Sequence, residues 1–76
     1  MIRNSRIGLI IRPDGLARIE IFDRPDGLFF FEELTLVKDD DHGDYFSCTH
    51  MSGLYATEEE AMREARSIIP WLRFEN

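Results

Sequence analysis

The sequence predicts an α+β fold: a four-stranded antiparallel β-meander with one C-terminal α-helix packed on one face. A Pro-Asp-Gly corner occurs twice, as Arg12-Pro13-Asp14-Gly15-Leu16 and again twelve residues later as Arg24-Pro25-Asp26-Gly27-Leu28. Apolar residues alternate on either side of the first corner, the period of a strand. Thr57-Glu58-Glu59-Glu60 then writes a helix start close to the C-terminus.

In each corner Pro presets φ for the first turn position, Asp tolerates the second, and Gly supplies the positive φ that closes a three-residue hairpin loop. Two such loops in series make a three-stranded meander. With Arg12 facing Leu16, Ile7 falls opposite Ile21, Leu9 opposite Ile19 and Ile11 opposite Ala17, so every odd position is apolar. The second corner sets Phe31 opposite Ile21, Phe29 opposite Asp23 and Glu33 opposite Ile19. A carboxylate on that face is costly unless paired or solvated. Strand 3, spanning roughly residues 28–37, is therefore expected to bulge or twist clear of the core near Glu33. Lys38 to Gly43 read as a polar connection and Asp44 to His50 as strand 4.

Thr57 can cap the helix while Glu60 reaches back to it, and three glutamates sit where the helix dipole favours negative charge. Ala61, Ala65, Ile68 and Leu72 supply an apolar stripe at helical spacing. Pro70 disfavours a helical Ile69, so the helix should end near Ser67 to Ile69. Pro70-Trp71-Leu72-Arg73-Phe74 should then fold back on the domain.

Residues 1–76 are read as a single domain. A chain of 76 residues buries only about 60% of its unfolded surface, which makes a partner subunit welcome. Cys48 is the only cysteine, which excludes an internal disulfide and fits a reducing compartment. No apolar run resembles a signal peptide or a membrane span, and a cytoplasmic, bacterial-type protein is expected. Nine Lys/Arg against fifteen Asp/Glu give a net charge of −6, which opposes attraction to a phosphate backbone.

One helix covers one face of such a sheet, and the odd face is the natural choice. The even face then displays Ile10, Leu16, Phe22, Phe30, Leu34 and Leu36 among Arg6, Arg12, Arg18, Glu20 and Glu32. An uncovered patch of that kind marks an interaction site. The expected function is that of a non-enzymatic protein-interaction module, with a homodimer favoured over a different protein partner. The competing possibility is that the C-terminal tail, or the segment from Met51 to Tyr55, covers the patch internally. A nucleic-acid module is the alternative, using Arg6, Arg12, Arg18, Phe22 and Phe30 as a basic stacking platform. Glu20 and Glu32 in the middle of that platform oppose it.

No catalytic residue, cofactor or metal is expected. Asp39-Asp40-Asp41-His42-Gly43-Asp44 lacks the EF-hand order, and His50 stands where the bidentate Glu belongs, so this segment reads as a solvated loop. Cys48 and His50 share a face of strand 4, with His42 just upstream, yet no second cysteine, CxxC or HxxxH completes a zinc set. Cys48 is expected to pack as a small buried hydrophobe. Cys48, His50 and Asp44 supply the residue types of a nucleophilic site, but strand neighbours two apart stand about 6 to 7 Å apart.

After the turn-linked strands, Gly53-Leu54-Tyr55-Ala56-Thr57-Glu58-Glu59-Glu60-Ala61 resembles the helix entry of several small bacterial families. These include the YegP-like domains of uncharacterised function and the arm-type DNA-binding domain of phage integrases. The resemblance covers the last third of the chain and the strand order. It implies the meander-plus-helix fold and carries over no functional residue.

Overall fold

The computed structural model describes residues 4–74. Four strands, β1 (Ser5–Ile11), β2 (Ala17–Asp23), β3 (Phe29–Val37) and β4 (Tyr45–Met51), precede helix α1 (Glu58–Ile68) and a 3-10 turn, Leu72–Phe74. The strands form one antiparallel sheet in the order β1-β2-β3-β4. The architecture is thus an α+β meander with a C-terminal helix.

Both Pro-Asp-Gly corners reverse the chain. Gly15 and Gly27 take φ of 75° and 86° and donate to the carbonyls of Arg12 and Arg24 at 2.8 and 3.0 Å. Asp14 and Asp26 accept the N–H of Leu16 and Leu28 at 2.9 and 3.1 Å. Beyond that point the two corners differ. Arg24 donates to the Leu28 carbonyl at 2.8 Å, the expected three-residue loop, and the expected pairs Ile21 with Phe31 and Ile19 with Glu33 follow. Arg12 instead donates to the Ala17 carbonyl at 2.9 Å, so the first loop holds one residue more.

Backbone polarity accounts for the difference. In an antiparallel sheet each residue of a central strand points its N–H and C=O at one neighbour, and the next residue points at the other. The second corner turns the even residues of β2 toward β3, and Leu16 accordingly accepts the Leu36 N–H at 2.8 Å. Its carbonyl cannot also close the first loop, so β1 pairs one residue later. Ile10 faces Ile19, Leu9 faces Glu20 and Ile11 faces Arg18. The expected pairing of Ile7, Leu9 and Ile11 with Ile21, Ile19 and Ala17 does not form. A register shift between Arg6 and Gly8 leaves Ile7 as an extra residue and restores Arg6 to a place opposite Phe22.

The core lies between the sheet and α1. Ala17, Ile19, Ile21 and Phe31 meet Ala61, Ala65, Ile69 and Leu72, none more than 3% exposed, with Ile10, Tyr55, Met62 and Trp71 packed around them. Burial of this kind contributes about 25 cal/mol per Å² of apolar surface. Gly8 lies against Ile21, where an added Cβ would come within 3.3 Å of its Cδ1. Thr57 caps α1 by accepting the Glu60 N–H at 3.1 Å. The helix ends at Ile68 before the extended Ile69, as Pro70 requires. The expected stripe is corrected at one position: Ile68 is 40% exposed and Ile69 takes its place in the core.

The tail folds back on the helix side of the sheet. Leu72 enters the core, and Trp71 Nε1 donates to Glu33 Oε2 at 2.8 Å. Glu33 also accepts from the Thr49 hydroxyl at 3.0 Å, so its carboxylate is satisfied in place. Strand 3 itself neither bulges nor leaves the core at Glu33, as its pairing with β2 is unbroken there; the register shift at this point belongs to β4, where Thr49 is the extra residue.

Candidate functional site: the open sheet face

The molecule is a slab 40 × 36 × 16 Å, thin enough for two layers only. One broad face of the sheet is therefore bare, and the pairing registers arrange its side chains in four rows. Arg6, Phe22 and Phe30 form the first. Leu9, Glu20, Glu32 and Met51 form the second, and Ile11, Arg18, Leu34 and Cys48 the third. Leu16, Leu36 and Phe46 form the fourth.

Charge lies at the centre and apolar surface around it. Glu20 is only 8% exposed, a burial that a carboxylate tolerates when paired. Its Oε2 accepts from Arg6 Nη1 at 3.0 Å and lies 3.1 Å from Arg18 Nε. The Arg18 N–H is not aimed at that oxygen, so the second contact is electrostatic, and this buried Nε has no hydrogen-bond partner among the described residues. The Arg18 guanidinium lies 4.1 Å from the Phe46 ring centroid. Phe22 and Phe30 stack at 4.9 Å. Leu9, Ile11 and Met51 are 42%, 57% and 63% exposed.

Of the residues expected here, Phe22, Phe30, Leu34 and Leu36 share the face and Leu16 stands at its end. Ile10 does not belong to it. The one-residue slip of β1 places Ile10 opposite Ile19 and against the core and brings Leu9 and Ile11 to the face instead. The same slip moves Arg12 to the other side, where its guanidinium lies 6.0 Å from the Trp71 ring and bonds Asp14 at 2.8 Å. The basic platform of Arg6, Arg12, Arg18, Phe22 and Phe30 thus loses one arginine, and Glu20 engages the other two. Among the described residues the tail lies on the helix side, with Leu72 in the core; the segment after β4 divides, Tyr55 stacking on Phe31 on the helix side while Ser52 and Leu54 line a shallow hollow with Phe30, Glu32 and Met51 at the first-row edge of the open face.

Strand 4 carries two further corrections. The Thr49 bulge separates Cys48 from His50. Cys48 faces outward beside Leu34 and is exposed rather than buried, while the His50 ring stacks on Phe31 at 5.7 Å. No side-chain pair of the kind nucleophilic catalysis needs is formed by these two. Phe46, Cys48 and Met51 had no strong sequence signal, because the bulge that sets their side of the sheet has no glycine to announce it.

The acidic loop closes on itself. Asp39 accepts the N–H groups of Asp41 and His42 at 2.9 and 3.2 Å, bonds that hold its carboxyl below the ordinary range. Lys38 pairs with Asp44 at 3.0 Å. Among the described residues no three His, Cys, Asp or Glu side chains converge as a metal site. Among the described residues no helix is long and apolar enough to cross a membrane.

The chain matches no family model, no curated protein and no solved structure. The reading of function accordingly rests on the geometry of the face.

Proposed function

We propose that this is a non-enzymatic protein-interaction module, cytoplasmic and bacterial in type, that self-associates through its open sheet face. One observation carries the reading. Among the described residues the tail and Tyr55 lie on the helix side and Leu54 reaches only the first-row edge of the open face, which leaves Leu9, Ile11 and Met51 exposed on a face that also holds Phe22, Phe30, Leu34 and Leu36. Apolar surface left out of a small core favours burial against a partner. Sedimentation equilibrium tests it: a dimer is expected at micromolar concentration, and a monomer at high micromolar concentration overturns self-association.

The second reading is a nucleic-acid module, favoured by the Phe22–Phe30 stack beside Arg6. It predicts salt-sensitive retention on heparin or single-stranded DNA. The net charge of −6 and the hold of Glu20 on Arg6 and Arg18 weigh against it. Flow-through at low salt removes it.

A further inference from the structure

We propose that two copies stack open face to open face about a two-fold axis lying in the plane of the sheet and perpendicular to its strands, with Glu20 of each copy receiving Arg18 of the other. This rests on the self-association reading and adds the arrangement of the partner. Stacked sheets stand about 10 Å apart and keep their strands within about 30° of alignment. Two in-plane axes satisfy both conditions, and the charge pattern chooses between them.

An axis along the strands lays β2 of one copy over β3 of the other. Glu20 then faces Glu32 across the interface, a like-charge contact that opposes association. An axis across the strands lays each strand over its own copy and the second row over the third. Glu20 then meets Arg18, Leu9 meets Ile11, and Met51 meets Cys48. The first row meets the fourth, Phe30 over Leu36.

One feature of the single chain fits this arrangement: Glu32, beside Glu20 in the second row, makes no ion pair among the described residues. An Arg18 arriving from the second copy brings a cation between both carboxylates. Four strands of seven to nine residues, about 4.8 Å apart with ~3.3 Å per residue, make a face of roughly 500 Å² per copy, the scale of a small, weak interface.

The test uses the natural chain first. Cys48 is exposed in one copy and covered by Met51 of the second in the stack. Its alkylation by iodoacetamide should slow about tenfold or more at concentrations where sedimentation shows dimer, because reaction must wait for the small dissociated fraction. Charge reversal then tests the axis. Arg18→Glu and Glu20→Arg should each sediment as monomers, and an equimolar mixture should form a heterodimer, with circular dichroism confirming that both are folded. A dimer whose Cys48 reacts at one rate at every concentration overturns this arrangement, as does a mixture of folded variants that stays monomeric. A natural chain that is monomeric throughout removes self-association itself, a different failure.

Discussion

Two corners of identical sequence, Arg-Pro-Asp-Gly-Leu, end in different places. The second closes on its own leucine; the first passes its leucine over and closes on Ala17. The turn chemistry is shared up to the glycine, so the difference does not originate in the corner. It comes from β2, which lies between two neighbours and offers each of them only alternate residues. The corners are an even number of residues apart. Both therefore ask for the even residues of β2, and one has to yield. A local motif sets where the chain turns, while the strand it feeds decides which residue completes the turn.

Deleting one leucine from either corner separates these roles most sharply. Removing Leu28 shifts β3 by one residue against β2, driving Glu32 toward the core and Phe31 out of it. Loss of the cooperative thermal transition is the expected result. A variant that melts normally would show that β3 can re-register at little cost. Next in size is Gly8→Val, which makes the slipped register of β1 pay in steric contact. A branched side chain 3.3 Å from Ile21 should cost about 1 to 3 kcal/mol by urea denaturation. In the unslipped register position 8 would face solvent, and the change would be neutral or stabilising.

Gly15→Ala and Gly27→Ala should each cost about 1 to 2 kcal/mol, the penalty for an L-residue at positive φ, since among the described residues nothing beyond the adjoining residues lies within 4 Å of either added Cβ. Similar values would show that the corners are equivalent up to the glycine; a large inequality would place the difference inside the turn after all. Removing Leu16 is milder still. The first loop would then match the second, with Arg12 still opposite Ala17, at a loss of about 1 kcal/mol for the Leu16–Leu36 bond.

The smallest effect is one of pH. The hydrogen bond from Arg12, then that from the Leu16 N–H, hold the Asp14 carboxyl below its ordinary value of 3.8. A lowered folded-state value means that the stabilisation is complete above that ordinary value and is lost as pH falls through the lower one. Asp14→Asn should therefore remove a small acid-dependent component of stability, read as a shallower decline of the melting temperature below about pH 3.8. A decline as steep as that of the natural chain would show that the contact contributes nothing.

Much of the open face was readable before the fold was known. Phe22, Phe30, Leu34 and Leu36 follow from the second corner, whose register is a local matter of one loop. Ile10 and Arg12 lie on the other side because a register taken from the first corner's own turn, with Arg12 facing Leu16, leaves out which neighbour the Leu16 carbonyl serves. The even spacing of the corners held a warning in the sequence that both could not close alike. Cys48 and His50 were separated by a bulge that no residue type announces.

By itself the sequence determined the order of elements, the two reversals, the second register and the capped start of α1. Each depends on neighbours in the chain: a proline's fixed φ, a glycine's tolerance of positive φ, a threonine hydroxyl within reach of the next turn. Only the tertiary structure decided which corner yields, and with it which side β1 shows to solvent. That outcome depends on backbone hydrogen bonds between Leu16 and Leu36, Arg12 and Ala17, and on the room for Gly8 over Ile21. Those contacts are made only once three strands have come together.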